Sequence, residues 1–245
     1  MAPTIHLVRH AQGVHNLPNG DDIPDPDLTP LGEEQCASLR EKFPYHDKIT
    51  KLFASPMRRT IYTCFLAFGT KELNPIIPLP ILQEVSALPC DTGSPVTTVQ
   101  AEFAGIADYS QVEENWTDKG PESEYYPTIE KLEVRGRKAR NVLRDLVSGD
   151  EHIVVVSHGG FLHLLTDDWY GVPEGQPNSW SNCEFRSYQF VDPTGKDEDA
   201  AMFETAESWR RRWGDAKPPT AEESRRVKPI AQKGMMPIWG IILPN

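Results

Sequence analysis

The chain is short of three things, and each shortage removes a class of function. Its 245 residues include only 4 cysteines, and Cys36, Cys64, Cys90 and Cys183 form no Cys-x-x-Cys pair, which excludes a disulfide scaffold and a cysteine-built zinc module. No apolar run approaches the roughly 20 residues that span a bilayer, and Met1-Ala-Pro-Thr opens without the core of a secretion signal. A reduced, cytoplasmic or nuclear setting without membrane contact is therefore expected. Positive charge is the third shortage. Lys and Arg number 25 against 36 Asp and Glu, a formal net charge of -11, which argues against a surface made for nucleic acid or anionic lipid. Residues 72–118 contain no Lys or Arg and carry Glu72, Glu84, Asp91, Glu102, Asp108, Glu113, Glu114 and Asp118.

What is present is a repeated strand, turn and helix. Thr4 to Val8 and Ile153 to Val156 are short apolar runs of the kind that form buried parallel strands, and Lys51 to Ala54 is a third. Each is followed by a turn into a helical pattern. Thr29-Pro30 begins a helix to about Lys42, Ser55-Pro56 is expected to cap and open one through Phe68, and a helix from Phe161 to about Trp169 follows Gly159-Gly160. Pro127 to Val147 places Leu132, Ala139, Leu143 and Leu146 on one helical face. Pro75 to Leu82 suggests a proline-broken edge strand, Thr98 to Ala104 a helical piece, and Asn182 to Val191 a late strand. Thr220 and Glu223 form a capping box for a last helix. The alternation predicts a three-layer α/β/α sandwich on a mostly parallel sheet. A single domain over 1–245 is expected, with an insertion covering the site at about 85–126 and an irregular C-terminal extension at about 192–245.

Two histidines stand where open α/β sheets build their sites, at the carboxyl ends of strands. His10 ends the run Thr4-Ile-His-Leu-Val-Arg9-His10, and His158 ends Ile153-Val-Val-Val-Ser-His158-Gly-Gly160. Arg9 and Arg59, at two such turns, supply planar forks of donors. Two arginines and two histidines at three strand ends make a cradle for a tetrahedral dianion. No carboxylate cluster accompanies them, so no metal and no other cofactor is assigned. His6 is expected beside the sheet, and His163 in a structural role. Arg135, Arg137, Arg140 and Arg144 read as a solvated helix face, and Cys183 as a small buried side chain.

Arg9-His10-Ala11 with Asn16 resembles the Arg-His-Gly signature of the histidine phosphatase superfamily, in its phosphoglycerate-mutase-like branch. Leu28-Thr-Pro-Leu-Gly32, Ser55-Pro-Met-Arg-Arg59-Thr-Ile-Tyr-Thr63, Leu82-Gln-Glu84 and Val156-Ser-His158-Gly159 are similar to its later motifs, in order, over Thr4 to about Tyr188. The resemblance implies a phosphoglycerate-mutase-like fold and a metal-independent phosphomonoesterase acting on a small phosphorylated substrate. His10 would be the nucleophile, Arg9, Arg59 and His158 would hold the phosphoryl oxygens, and Glu84 would be the general acid and base. Asn16 and His15 would adjoin the phosphate or the leaving group. Ala11 departs from glycine, which requires an ordinary φ<0 backbone there.

Two alternatives stay open at this point. A cofactor-dependent phosphoglycerate mutase would return the phosphoryl group to substrate, but needs cations that residues 72–118 do not offer. A non-catalytic interaction module would keep the scaffold without the chemistry, and the intact set His10, Arg59, Glu84 and His158 speaks against it.

Overall fold

The computed structural model describes residues 2–173, 175–192 and 194–241. Six strands form one sheet: β1 (Thr4–Arg9), β2 (Ile49–Ala54), β3 (Ile77–Pro78), β4 (His152–Ser157), β5 (Phe185–Phe190) and β6 (Met202–Glu204). Their order is β3-β2-β4-β1-β5-β6. The first four in this order are mutually parallel, while β5 runs against both β1 and β6. Among the described residues seven α-helices accompany them, α1 (Pro30–Lys42), α2 (Arg58–Phe68), α3 (Val96–Glu102), α4 (Ile129–Asp145), α5 (Gly159–Thr166), α6 (Ala206–Trp213) and α7 (Ala221–Met235).

The central strands are apolar on both faces because both are covered. Ile153 and Val155 join one buried cluster with Leu132 and Leu143 of α4 and Leu162 and Leu165 of α5. Val154 and Val156, pointing the opposite way, join a second with Cys36 and Leu39 of α1 and Ile61 and Cys64 of α2. This alternation produces the three layers.

The starts of α1 and α7 follow local chemistry, and that of α2 does not. Thr29 caps α1 by accepting the Gly32 N–H at 3.0 Å, and Thr220 with Glu223 closes the capping box on α7. At α2 the expected cap fails. The helix begins at Arg58 rather than Pro56, and its first N–H donates at 3.0 Å to Asp25 Oδ1 from the preceding loop. Ser55 is left free for another partner.

The C-terminal part is not the irregular extension expected: its described residues contain β6, α6 and α7. After α7 the chain returns to the core through Met235, Met236, Trp239 and Ile241, all buried. The proline-broken segment does give an edge strand, β3, reduced to two residues.

Candidate active site

Sheet register brings the strand ends together. Arg9 pairs with Ser157 and Ala54 with Val156, so the residues that follow, His10, His158 and Ser55, emerge side by side. The His10 N–H donates to the Ser157 carbonyl and the Ser55 N–H to Val156, each at 2.9 Å. The His10 and His158 ring centroids lie 5.2 Å apart, and the His15 ring is also 5.2 Å from His10.

The tautomer of His10 follows from its contacts. Nδ1 lies 2.7 Å from the Ala11 carbonyl, an acceptor only, so Nδ1 carries the proton and Nε2 keeps its lone pair. Burial, then the charge of Arg59, His15 and Arg9, holds the ring well below the ordinary imidazole pKa and therefore neutral. The chain behind it is tied down. The Ala11 N–H donates to Thr63 Oγ1 at 3.0 Å, and Asn182 Nδ2 donates to the His10 carbonyl at 2.9 Å. Ala11 is not among the residues with positive φ, so alanine fits where glycine was expected.

Arg59 and His158 are fully buried and engage each other. Arg59 Nη2 donates to His158 Nδ1 at 3.0 Å, which leaves the proton of that ring on Nε2, facing Ser55 Oγ at 2.9 Å. Arg59 also donates through Nη1 to the Cys90 carbonyl at 2.7 Å and through Nη2 to Asp91 Oδ1 at 3.0 Å. Arg9 donates to the Trp180 carbonyl. The Nε atoms of Arg9 and Arg59, and Nδ1 of His15, are buried without a hydrogen-bond partner, and the charges of both arginines act on His10 and on His15.

Glu84 docks on the start of α5, immediately after His158. Oε1 accepts the Phe161 N–H at 2.9 Å and Oε2 the Gly160 N–H at 3.2 Å. A Cβ on Gly160 would sit 2.7 Å from Glu84 Oε1, so glycine is what allows this approach. Burial and the nearby Asp91 charge raise the Glu84 pKa, which favours the protonated acid.

Two buried cations support Glu84 from its backbone. Lys119 Nζ donates to the carbonyls of Glu84 at 3.3 Å, Asp91 at 2.6 Å and Ser86, and burial lowers its pKa to about 8. Arg135 Nη2 donates to the carbonyls of Gln83 at 3.0 Å and Glu84 at 3.3 Å, with its guanidinium 4.3 Å from the Phe161 ring centroid.

The reading of α4 as a solvated arginine face is corrected here. Arg135 is 1% exposed and Arg140 9%, and Arg140 donates to the carbonyls of Leu164, Leu165 and Asp199. Arg137 does remain outside, 3.7 Å from Asp199, and Arg144 binds the Asp197 carbonyl and Asn141. Asn16 is exposed, and its Oδ1 accepts the Gly13 N–H at 3.1 Å. It shapes the loop and makes no hydrogen bond to His10, Arg9 or Arg59. Of the acids in residues 72–118, Glu84 and Asp91 contact the site's own residues, whereas Glu102 pairs with Arg58 at 2.9 Å. His6 lies beside the sheet, 2.9 Å from Ser187 Oγ. His163 is held at both ring nitrogens by Asp168 and Ser179.

The profile of the histidine phosphatase superfamily (branch 1) matches residues 5–197. The chain belongs to that family. Phosphoglycerate mutase-like protein 1 of Arabidopsis thaliana is 30% identical over 233 residues, spanning 77% of this chain and 81% of its own. A probable phosphatase of Schizosaccharomyces pombe is 27% identical over 206 residues, spanning 76% of this chain and 89% of its own. The fold is similar to that of Bacillus stearothermophilus YhfR, with a TM-score of 0.53 at 16% identity over 88% of this chain and 98% of that one. The histidine phosphatase match takes in every site residue described above and ends before α6 and α7. Trp239 therefore lies outside the matched residues, yet its ring comes within 3.2 Å of a Cβ placed on Gly160.

Sequence reasoning missed Ser55 as a partner of His158, and it missed Asp91, Lys119 and Arg135. Ser55 and Arg135 had signals: the first stands at a strand end like His10, and the second lies between Leu132 and Ala139 on the buried stripe of α4. Asp91 and Lys119 reach the site through tertiary contacts with no local signature.

Proposed function

We propose that this chain is a phosphomonoesterase that works through a phosphohistidine at His10 Nε2. The observation that carries the reading is a neutral, buried imidazole whose Nδ1–H is committed to Ala11 while Nε2 stays open, close enough to Arg59 and Arg9 to feel their charge. Nε2 attacks phosphorus, the ester P–O bond breaks, and Glu84 gives its proton to the departing alcohol. Water, losing its proton to Glu84, then displaces His10 and releases inorganic phosphate. Arg9 and Arg59 meet the charge on the transferring oxygens. His158 holds Arg59 in place and offers Nε2–H to the phosphate once Ser55 yields it. His15 adjoins the nucleophile. No metal is assigned a part: the groups proposed to meet the phosphate oxygens, Arg9, Arg59 and His158, are cationic or neutral donors.

Hydrolysis is favoured over mutase chemistry by where the cations are spent. Arg140 and Lys119 are engaged by backbone carbonyls, and Arg135, which gives Nη2 to the Gln83 and Glu84 carbonyls and lies against Phe161, is held behind Glu84, leaving Arg9 and Arg59 as the pair beside His10 for one phosphate. The test is to mix the protein, in the presence of a chelator, with a radiolabelled monoester and quench in alkali. A phosphoprotein that is stable in alkali and labile in acid should form with the native chain and be absent from His10→Ala. The same substitution should lower kcat by about 10³-fold or more. Ordinary turnover by folded His10→Ala would sink the reading.

A further inference from the structure

Both terminal nitrogens of Arg59 are committed before any substrate arrives. Its Nη1 serves the Cys90 carbonyl, its Nη2 serves Asp91 Oδ1 and His158 Nδ1, and Nε alone lacks a partner. Arg59 and His158 are 0% exposed and His10 2%, so a phosphate at His10 Nε2 is enclosed by groups already bonded to one another. Arg59 can offer it Nε, and a second bond from this guanidinium requires taking over one that Arg59 now makes. The Cys90 carbonyl is backbone, and the fully buried His158 ring keeps Nδ1 on Arg59 when Ser55 yields Nε2–H to the phosphate. Asp91 is the acceptor that can leave by side-chain rotation. Its carboxylate is also the only anion paired with Arg59 among the described residues, so a phosphate can take its place as the anionic partner of that guanidinium.

The backbone decides where the displaced carboxylate goes. Lys119 holds the Asp91 carbonyl at 2.6 Å and the Ser86 carbonyl as well, and the Cys90 N–H is bound to the Asp21 carbonyl at 3.1 Å. Ser86 Oγ holds Asp91 Oδ2 at 2.6 Å. Gly93, just beyond, is seated so closely on Trp116 that a Cβ there would overlap its ring at 1.9 Å. With the turn pinned on both sides, Asp91 keeps Ser86 as its partner and stays in the site beside Glu84. A fixed anion next to the leaving-group acid faces the body of the ester, not its phosphorus.

We propose that Asp91 is the specificity-determining residue of this site: it occupies Arg59 until a phosphate displaces it, and its retained charge then selects monoesters with neutral or cationic bodies over those carrying a second anion. The proposal rests on the phosphomonoesterase reading above.

The experiment compares phenyl phosphate with its para-carboxylate, two monoesters whose leaving phenols are of similar acidity, and measures vanadate inhibition alongside. The native protein should prefer phenyl phosphate. Asp91→Asn should shrink that preference by about tenfold and tighten vanadate binding by about tenfold, because the charge that repels the one and competes with the other is gone. Asp91→Ser, of different size but equally uncharged, should move both quantities the same way, so a packing fault in one variant does not decide the outcome. An unchanged preference in both variants overturns the proposal. So does weaker vanadate binding in both, which would make Asp91 an orienting partner of Arg59. A native protein that neither binds vanadate nor releases phosphate from either ester overturns the phosphomonoesterase reading itself, and this inference with it.

Discussion

Gly160→Ala is the mildest change that should separate Glu84, the proposed general acid, from the rest of the site. The new methyl would stand 2.7 Å from Glu84 Oε1, 3.0 Å from Val85 Cγ2 and 3.2 Å from Trp239 Cε2, and the carboxylate is the easiest of the three to push aside. Glu84 would then give up one or both of its bonds to the Gly160 and Phe161 N–H groups, each worth about 1.5–3 kcal/mol when the acceptor is charged. The fold itself has compensation. Gly160 is not among the residues with positive φ, and alanine in a helix is favoured over glycine by about 1 kcal/mol, which offsets part of the lost bonding, so the melting temperature should fall by about 2–4 °C for each kcal/mol not recovered. Chemistry should suffer more. Positioned acid catalysis contributes about 10²–10⁴-fold, and we expect phosphorylation by an alkyl phosphate to slow by about 10²-fold. A nitrophenyl ester, whose leaving group needs little protonation, should slow by less than about tenfold. Rapid-quench measurement of the first turnover reads this step without interference from dephosphorylation. Equal slowing on both esters, or no slowing on the alkyl phosphate, would refute the argument.

Two further outcomes are expected. Buried His163, bonded at both nitrogens, has its pKa lowered by burial to about 4, below the ordinary value of about 6.5 for the unfolded chain. The unfolded state then binds more protons between these values, so this stability is complete above pH 6.5 and is lost as pH falls toward 4, on the order of 3 kcal/mol from this group. Urea midpoints should fall steadily from pH 7 to pH 4.5, and a flat profile would contradict the buried neutral ring. Second, 3-phosphoglycerate supplied with catalytic 2,3-bisphosphoglycerate should yield little 2-phosphoglycerate; isomerisation at about 10 s⁻¹ or faster, an ordinary enzyme rate, would return the chain to mutase chemistry.

The difference between His10 and Asp91 shows what a sequence exposes. His10 and His158 were readable because each follows an apolar strand and precedes small residues, a local pattern with a general meaning. That they stand side by side depends on the pairing of β1 with β4, which joins residues far apart in the chain. Ser55 illustrates competition between local and tertiary chemistry. Next to Pro56 it reads as a helix cap, yet its hydroxyl goes to His158 and Asp25 supplies the cap from another loop. Arg135 shows a periodicity read too coarsely. It lies three residues after Leu132 and four before Ala139, within the stripe that was counted as apolar, and a guanidinium can enter such a stripe when carbonyls and an aromatic face receive it. The capping box at Thr220 was visible, but the return of Trp239 to Gly160 is a packing outcome with no local sign.

Net charge turns out to be a poor guide to this site, for a reason that bears on its chemistry. A chain of formal charge -11 nonetheless buries Arg59, Arg135 and Lys119 near one another, against Glu84 and Asp91. In a low-dielectric interior these few charges outweigh the many on the surface, whose fields water and salt screen within about 10 Å. Lys119 and Arg135 both hold the Glu84 carbonyl, which fixes their charge behind that residue. Arg59 differs because one of its partners is itself an anion that can move. An arriving phosphate thus exchanges one ion pair for another instead of creating one, and the binding step is governed by Asp91 as much as by the arginines that attract the phosphate.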